Sequence, residues 1–156
     1  MVEVLGVLAI VGILMAIVAP GWVAYAEGRS LSAAQDAVLQ NLRLAQSEAK
    51  RTRGIWQMSA RSTSQGVELA VHPASASVHL ADWQPLDPTV RLDTDETTVQ
   101  RDRTQGIYQV QFNATGRVNG SLGKITLTTG QGQKRRCIVI STLLGVIRKA
   151  ADEACL

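Results

Sequence analysis

His72 and His79 stand seven residues apart with Asp82 close behind. That is the one grouping in this 156-residue chain where acid–base chemistry could be sought. The two histidines fall in different predicted strands or turns, and no nucleophile-elbow pattern lies near them. Asp87, Asp93, Asp95 and Glu96 read as a solvated acidic loop rather than as paired catalytic acids. Asp93-x-Asp95 is too short for a calcium loop. Two cysteines and two distant histidines do not give zinc spacing. Gly116-x-x-x-Gly120-x-x-Gly123 is not followed by Lys-Ser/Thr, so it reads as turns and not as a phosphate loop. The expectation is no catalytic residue, no metal, no cofactor and no enzymatic activity.

The basic residues offer a different chemistry. Net charge is +3 at pH 7 and the pI about 9.2, a mild excess that is by itself no argument for nucleic acid. The densest positions are Lys134-Arg135-Arg136 and Arg148-Lys149. They read either as solvated surface balanced by the acidic loop or as a patch that tracks phosphates. Aromatic residues are not interleaved with them, so base stacking has no platform. Any DNA binding is expected to be nonspecific and salt-sensitive.

The least ordinary charge is Glu3. Residues 4–19 are sixteen residues without a charge or a hydrogen-bonding side chain. With Pro20, Gly21, Trp22 and Val23 the run is about long enough to cross a hydrocarbon core of roughly 30 Å. An ionised carboxylate costs several kcal/mol in lipid, so Glu3 needs a partner. Three readings compete. A cleavable secretory signal wants a positive n-region and a small-residue cleavage site, whereas the charge ahead of the run is acidic and Pro20 follows Ala16-Ile17-Val18-Ala19. A plain signal anchor leaves Glu3 incidental. A helix that lies first in a membrane and later within a polymer of similar helices gives Glu3 a mate.

The elements that position these residues follow from periodicity. A helix over 2–53 would be roughly 80 Å long; Pro20 would kink it and Gly21 soften the same place. Leu31, Ala34, Val38, Leu42, Ala45 and Ala49 recur at steps of three and four, one apolar stripe bordered by Gln35 and Gln46. Gly54 is the stop signal. Beyond it the grammar is that of strands: 55–60 and 67–71 around a turn at 61–66, a short strand at 78–80, a loop at 82–96 with a strand at 90–92, then 107–112, 125–127, 137–140 and 146–147, with a helical turn at 150–153. Tyr108, Val110 and Phe112 share one face of their strand, Gln109 and Gln111 the other. The length allows one globular domain plus an appendage. The expected fold is α+β, a long N-terminal helix on antiparallel sheets. Residues 1–27 form the hydrophobic projecting part, and 28–156 the head, with its helix over 28–53 and its sheets over 54–156.

Met1-Val2-Glu3-Val4-Leu5-Gly6-Val7-Leu8 through Ala16-Ile17-Val18-Ala19-Pro20 resembles the N-terminal segment of type IV pilins and pseudopilins. Glu3 and Pro20 match that family's glutamate and proline in type and spacing; its basic leader ending in Gly, and its usual Phe-Thr, would stand ahead of Met1. The helical Leu39-Gln-Asn-Leu42-Arg43-Leu44-Ala45-Gln-Ser-Glu48-Ala49 is similar to GspH/FimT-type minor pilins. So is the tail, from Phe112-Asn-Ala-Thr-Gly116-Arg117 to Gly145-Val-Ile-Arg148. The two ends cover roughly half the chain, and the middle carries no matching motif.

The resemblance implies a pilin-like fold and a structural role. A prepilin peptidase would cut the leader and the new N-terminus would be methylated. The chain would wait as a single-pass inner-membrane protein, then pass through an assembly platform into an extracellular or periplasmic filament of pilin subunits. Glu3 would pair with a neighbour's N-terminal amine, and Pro20 and Gly21 would let the rod bend. FimT-like members linked to DNA uptake carry Gly-Arg-x-Arg; here Gly145, Val146, Ile147 and Arg148 stand there, without the first arginine. Arg148, Lys149, Lys134, Arg135 and Arg136 are the candidates for DNA contact in that alternative. In an exported domain two cysteines usually pair, so Cys137 and Cys155 are expected to form a disulfide; two free thiols are the other reading.

Overall fold

The 3.6-residue periodicity becomes a single helix, α1 (Val2–Thr52), of 51 residues. The structure is a computed structural model that describes residues 2–130 and 134–155, leaving aside the side chains of residues 2, 5, 16–20 and 24. The stripe forms as its spacing dictates: Leu31, Ala34, Val38, Leu42, Ala45 and Ala49 are all buried. Arg29, Gln40, Arg43 and Lys50 face solvent. The helix ends at Thr52, one residue earlier than expected and two before the glycine. Arg53 takes the left-handed conformation (φ 52°), and the Gly54 N–H donates to the Ala49 carbonyl at 3.2 Å. This is a Schellman closure with an arginine where glycine usually sits.

Among the described residues nine strands follow: β1 (Trp56–Thr63), β2 (Gly66–Pro73), β3 (Gln84–Pro85), β4 (Val90–Leu92), β5 (Arg101–Asp102), β6 (Ile107–Phe112), β7 (Gly123–Thr129), β8 (Arg135–Ile140) and β9 (Ile147–Ala151). They make two antiparallel sheets, β3-β2-β1-β6-β5 and β4-β7-β8-β9, and α1 packs against both. Period two divides the first sheet into an apolar and a polar face. Met58, Ala60, Val67, Leu69, Tyr108, Val110 and Phe112 join the helical stripe in one core. Ile125, Leu127, Ile138 and Ile140 of the second sheet complete it.

Several expected elements are corrected. The turn placed at 61–66 shrinks to two residues, because the β1–β2 ladder runs on to Thr63↔Gly66. Arg61 is held in the strand by its cross-strand ion pair with Glu68 (2.6 Å) and by the Trp83 ring, 4.1 Å from the guanidinium carbon. Val78–Leu80 is a 3-10 turn rather than a strand; none of its residues is buried, so it has no face to give a sheet. The last strand is five residues long rather than two, and the terminal 3-10 turn covers Asp152–Cys155.

The polar face of the first sheet is closed over as well. His72, Gln57 and Ser59 are buried. The His72 Nδ1–H donates to the Pro73 carbonyl at 3.0 Å, since a carbonyl can only accept. Nε2 then accepts from the Ser59 hydroxyl (3.1 Å) and the Gln57 amide (3.3 Å). Cys137 and Cys155 are joined in a disulfide. It closes a loop of 18 residues' separation, worth about 3 kcal/mol if the chain-entropy account holds. It ties the C-terminal turn to the second sheet, where Lys124 donates to the Cys155 carbonyl at 2.6 Å and pairs with Glu96 at 2.9 Å.

Two stability outcomes follow from the helix. Leu42→Ala, at a fully buried site, is expected to cost about 2–5 kcal/mol, whereas Leu44→Ala, 48% exposed, should cost under about 0.5 kcal/mol; urea unfolding measures both. Arg53→Gly relieves a left-handed non-glycine residue and is expected to raise stability by roughly 0.5–1 kcal/mol. A loss of stability there would mean that the arginine side chain supplies something the backbone does not.

Candidate functional site: the projecting half of the helix

The residues from Glu3 to Ala26 whose side chains are described are all exposed, and the helix is first fully covered at Leu31. Val4, Val7, Leu8, Ile10, Val11, Ile13, Leu14 and Met15 are each between 45% and 68% exposed. Monomeric soluble proteins rarely present an apolar surface of this extent. Removing these eight side chains from water is worth on the order of 10 kcal/mol. Glu3, exposed in the first turn, has no cation against it among the described residues. Its desolvation costs several kcal/mol. The aliphatic term therefore wins, and burial of the segment can proceed with the carboxylate unmatched.

The helix is continuous through positions 20 and 21. The expected bend at Pro20 falls on a side chain outside the described residues. Gly21 is exposed, and a Cβ there would meet nothing within 4 Å. Among the described residues no helix is long and apolar enough to cross a membrane; part of the apolar run lies outside that set. Trp22 (71% exposed) and Tyr25 (64%) follow, rings tilted at 44° and 6.2 Å apart.

The head takes hold of the helix over the next turn. Ser30 of the helix lies near enough to the Asp87 carboxylate to favour its ionised form slightly. Asp87 accepts from the Thr89 hydroxyl (2.6 Å) and the Thr89 N–H (2.9 Å). These donors stabilise the ionised form and hold the Asp87 carboxyl below its ordinary range, Thr89's hydroxyl most of all. Higher up, Gln35 donates to the carbonyls of Cys137 and Ala150 at 2.8 Å each, and Gln46 donates to that of Gly116 at 2.7 Å. The sequence showed these two glutamines only as borders of the stripe; Gln35 fixes β8 and β9 against the helix, and Gln46 fixes the loop between β6 and β7. Their spacing of eleven is three helical turns, a signal that could have placed them on one line.

The basic candidates are distributed by strand alternation. In the β8–β9 register Ile138 faces Lys149 and Val139 faces Arg148. Ile138 is core, so Lys149 and Arg136 point to the helix side, and Arg148 and Arg135 to the opposite face. Lys149 pairs with Asp36 of α1, and Arg135 with Asp93 at 3.0 Å. Lys134 lies beside Gly28 of the helix. The five do not share one surface. His79 and Asp82 are exposed, and no hydrogen bond joins them to His72 among the described residues. Among those residues no three His, Cys, Asp or Glu side chains are grouped as a metal ion would need.

A long helix seated on antiparallel sheets, with half its length left unpacked, defines a pilin-like α+β protein. The family model of the type II transport protein GspH matches residues 34–144. That is more than half of the chain, which belongs to the GspH family. Among solved structures the chain is similar to the type IV minor pilin FimU of Pseudomonas aeruginosa PAO1, with TM-score 0.58, 17% identity, and coverage of 85% of this chain and 99% of that one. It is also similar to the minor pseudopilin EpsH of the type 2 secretion system of Vibrio cholerae, with TM-score 0.55, 13% identity, and coverage of 78% and 97%. At such identities the likeness is one of fold. Comparison with curated proteins finds no match.

The Asp87 contacts carry a pH signature. A carboxyl whose folded pKa is lowered adds stability above its unfolded value, near 3.8, and loses it as pH falls through the lowered folded value. Thr89→Val is expected to move the Asp87 titration, followed by NMR, back towards the ordinary range. An unmoved titration would remove Thr89 as the cause.

Proposed function

We propose that the chain is a structural subunit, a minor pilin or pseudopilin, of a type IV pilus or type II secretion-like filament. It does no chemistry. The observation that carries this reading is the apolar half of α1, whose described side chains between Val4 and Met15 are all exposed and covered by no part of the head. Membership of the GspH family supports it. So does the fold shared with one minor pilin and one minor pseudopilin.

In this reading residues 1–27 form the assembly element and residues 28–156 the exported head. The helix resides in the inner membrane as a single span after prepilin peptidase has cut a leader and the new N-terminus has been methylated. An assembly platform then transfers it into the filament, where other subunits' helices replace lipid around it. Glu3 meets the N-terminal amine of a neighbour, which turns a desolvation cost into an ion pair. Pro20 and Gly21 give the rod the freedom to bend on transfer. The filament lies in the periplasm or outside the cell.

The alternative of a pilus-associated pilin that binds DNA needs a shared cationic surface. The split of Arg148 from Lys149 across the sheet, and the engagement of Lys149 and Arg135 by carboxylates, speak against it.

The test is Glu3→Val. It is expected to leave the protein membrane-inserted, since the aliphatic run outweighs one carboxylate, while abolishing incorporation into sheared filaments. Normal incorporation would refute the role given to Glu3. Failure to insert would refute the membrane stage.

A further inference from the structure

The two sheets have four edges, and three are blunt. β3 and β5 are two residues each and β4 is three. The fourth edge, β9, is five residues long and hydrogen-bonded on one side only, to β8. The phase of that pairing is set by the Ser141 N–H, which donates to the Val146 carbonyl at 3.0 Å. Antiparallel pairs alternate between bonded and non-bonded. Positions 146, 148 and 150 therefore turn their backbone groups towards β8, and Ile147, Lys149 and Ala151 turn theirs outward. The Ala151 carbonyl starts the terminal 3-10 turn; among the described residues no hydrogen bond reaches the outward groups of Ile147 and Lys149 or the Ala151 N–H.

An edge of this length is a template for another strand. Its chemistry says which. Arg148 is exposed on the face away from the helix, flanked in the same row by exposed Val146 and half-buried Ala150. A second copy pairing through its own β9 would bring Arg148 and Lys149 against their own kind, and like charges across a ladder destabilise it. We propose that β9 is a docking edge for an extended segment of a different protein subunit. That segment adds a strand beside Ile147–Ala151 and presents a carboxylate to Arg148, with apolar residues on either side in the same row. The contact lies on the head and does not depend on the assembly role given to the projecting helix.

The probe is a fluorescent seven-residue peptide with glutamate at its centre, valine two residues to either side in the same row and threonine at the remaining positions, titrated by anisotropy against the full chain in detergent micelles. Saturable binding is expected, with amide exchange slowed at Ile147, Lys149 and Ala151. Arg148→Glu should weaken it about tenfold and favour the counterpart with lysine in place of the central glutamate. Ala151→Pro removes one outward N–H without touching the β8 bonds, and should weaken binding with an unchanged unfolding midpoint. A peptide methylated on alternate backbone nitrogens, used with the unaltered protein, should not bind. The proposal fails if the acidic peptide does not bind, if the methylated peptide binds as well as its parent, or if the slowed amides lie elsewhere. It also fails if a folded Ala151→Pro protein binds normally.

Discussion

Everything in this molecule answers to one mismatch: α1 runs for 51 residues, and the head can cover little more than its last twenty-two, from Leu31 to Thr52. A sheet domain of about a hundred residues is wide enough for six turns of helix and no more. The rest is aliphatic, so it must be enclosed by something the chain does not itself supply. Covering oily surface gives a non-directional free energy roughly proportional to area. It is satisfied equally by lipid tails and by other helices. What would distinguish the two environments, in the function proposed above, is the single carboxylate at the front: lipid has no cation to offer, and a neighbouring subunit's N-terminal amine would be one.

The sequence made the helix legible because its signal is long and redundant. Six apolar positions over five turns all point one way, and each proved buried. The major strands were legible for the same reason, with Ile107–Phe112 displaying a strict alternation. What escaped was short or tertiary. Two-residue strands such as Gln84–Pro85 and Arg101–Asp102 carry no period. Arg61 read as part of a turn because its strand partner, Glu68, and its aromatic cover, Trp83, come together only in the fold. Arg53 took the left-handed position one step ahead of the glycine that had seemed to own it.

The same limit applies to the candidate sites. Glu3 stands out in one dimension because a charge beside sixteen apolar residues needs no partner to be noticed. The basic residues do not behave that way. Arg148 and Lys149 are adjacent in sequence, and that adjacency is what puts them on opposite sides of a sheet. His72 belonged to the one grouping in which acid–base chemistry could be sought, and none was expected there. It is a buried structural link, one ring nitrogen bonded to the Pro73 carbonyl and the other to Ser59 and Gln57, and its hydrogen bonds are spent within the sheet.

The unbroken course of α1 from the projecting half into the core has a mechanical consequence. Tension applied along the axis of the rod passes down its continuous backbone to the head. It arrives as shear along the interface between the helix and the two sheets. Loads in that direction must slide Leu31, Val38 and Leu42 past their neighbours together, while Gln35 and Gln46 act as cross-ties to strand and loop carbonyls. The head should yield late and all at once, a property suited to a part that is pulled.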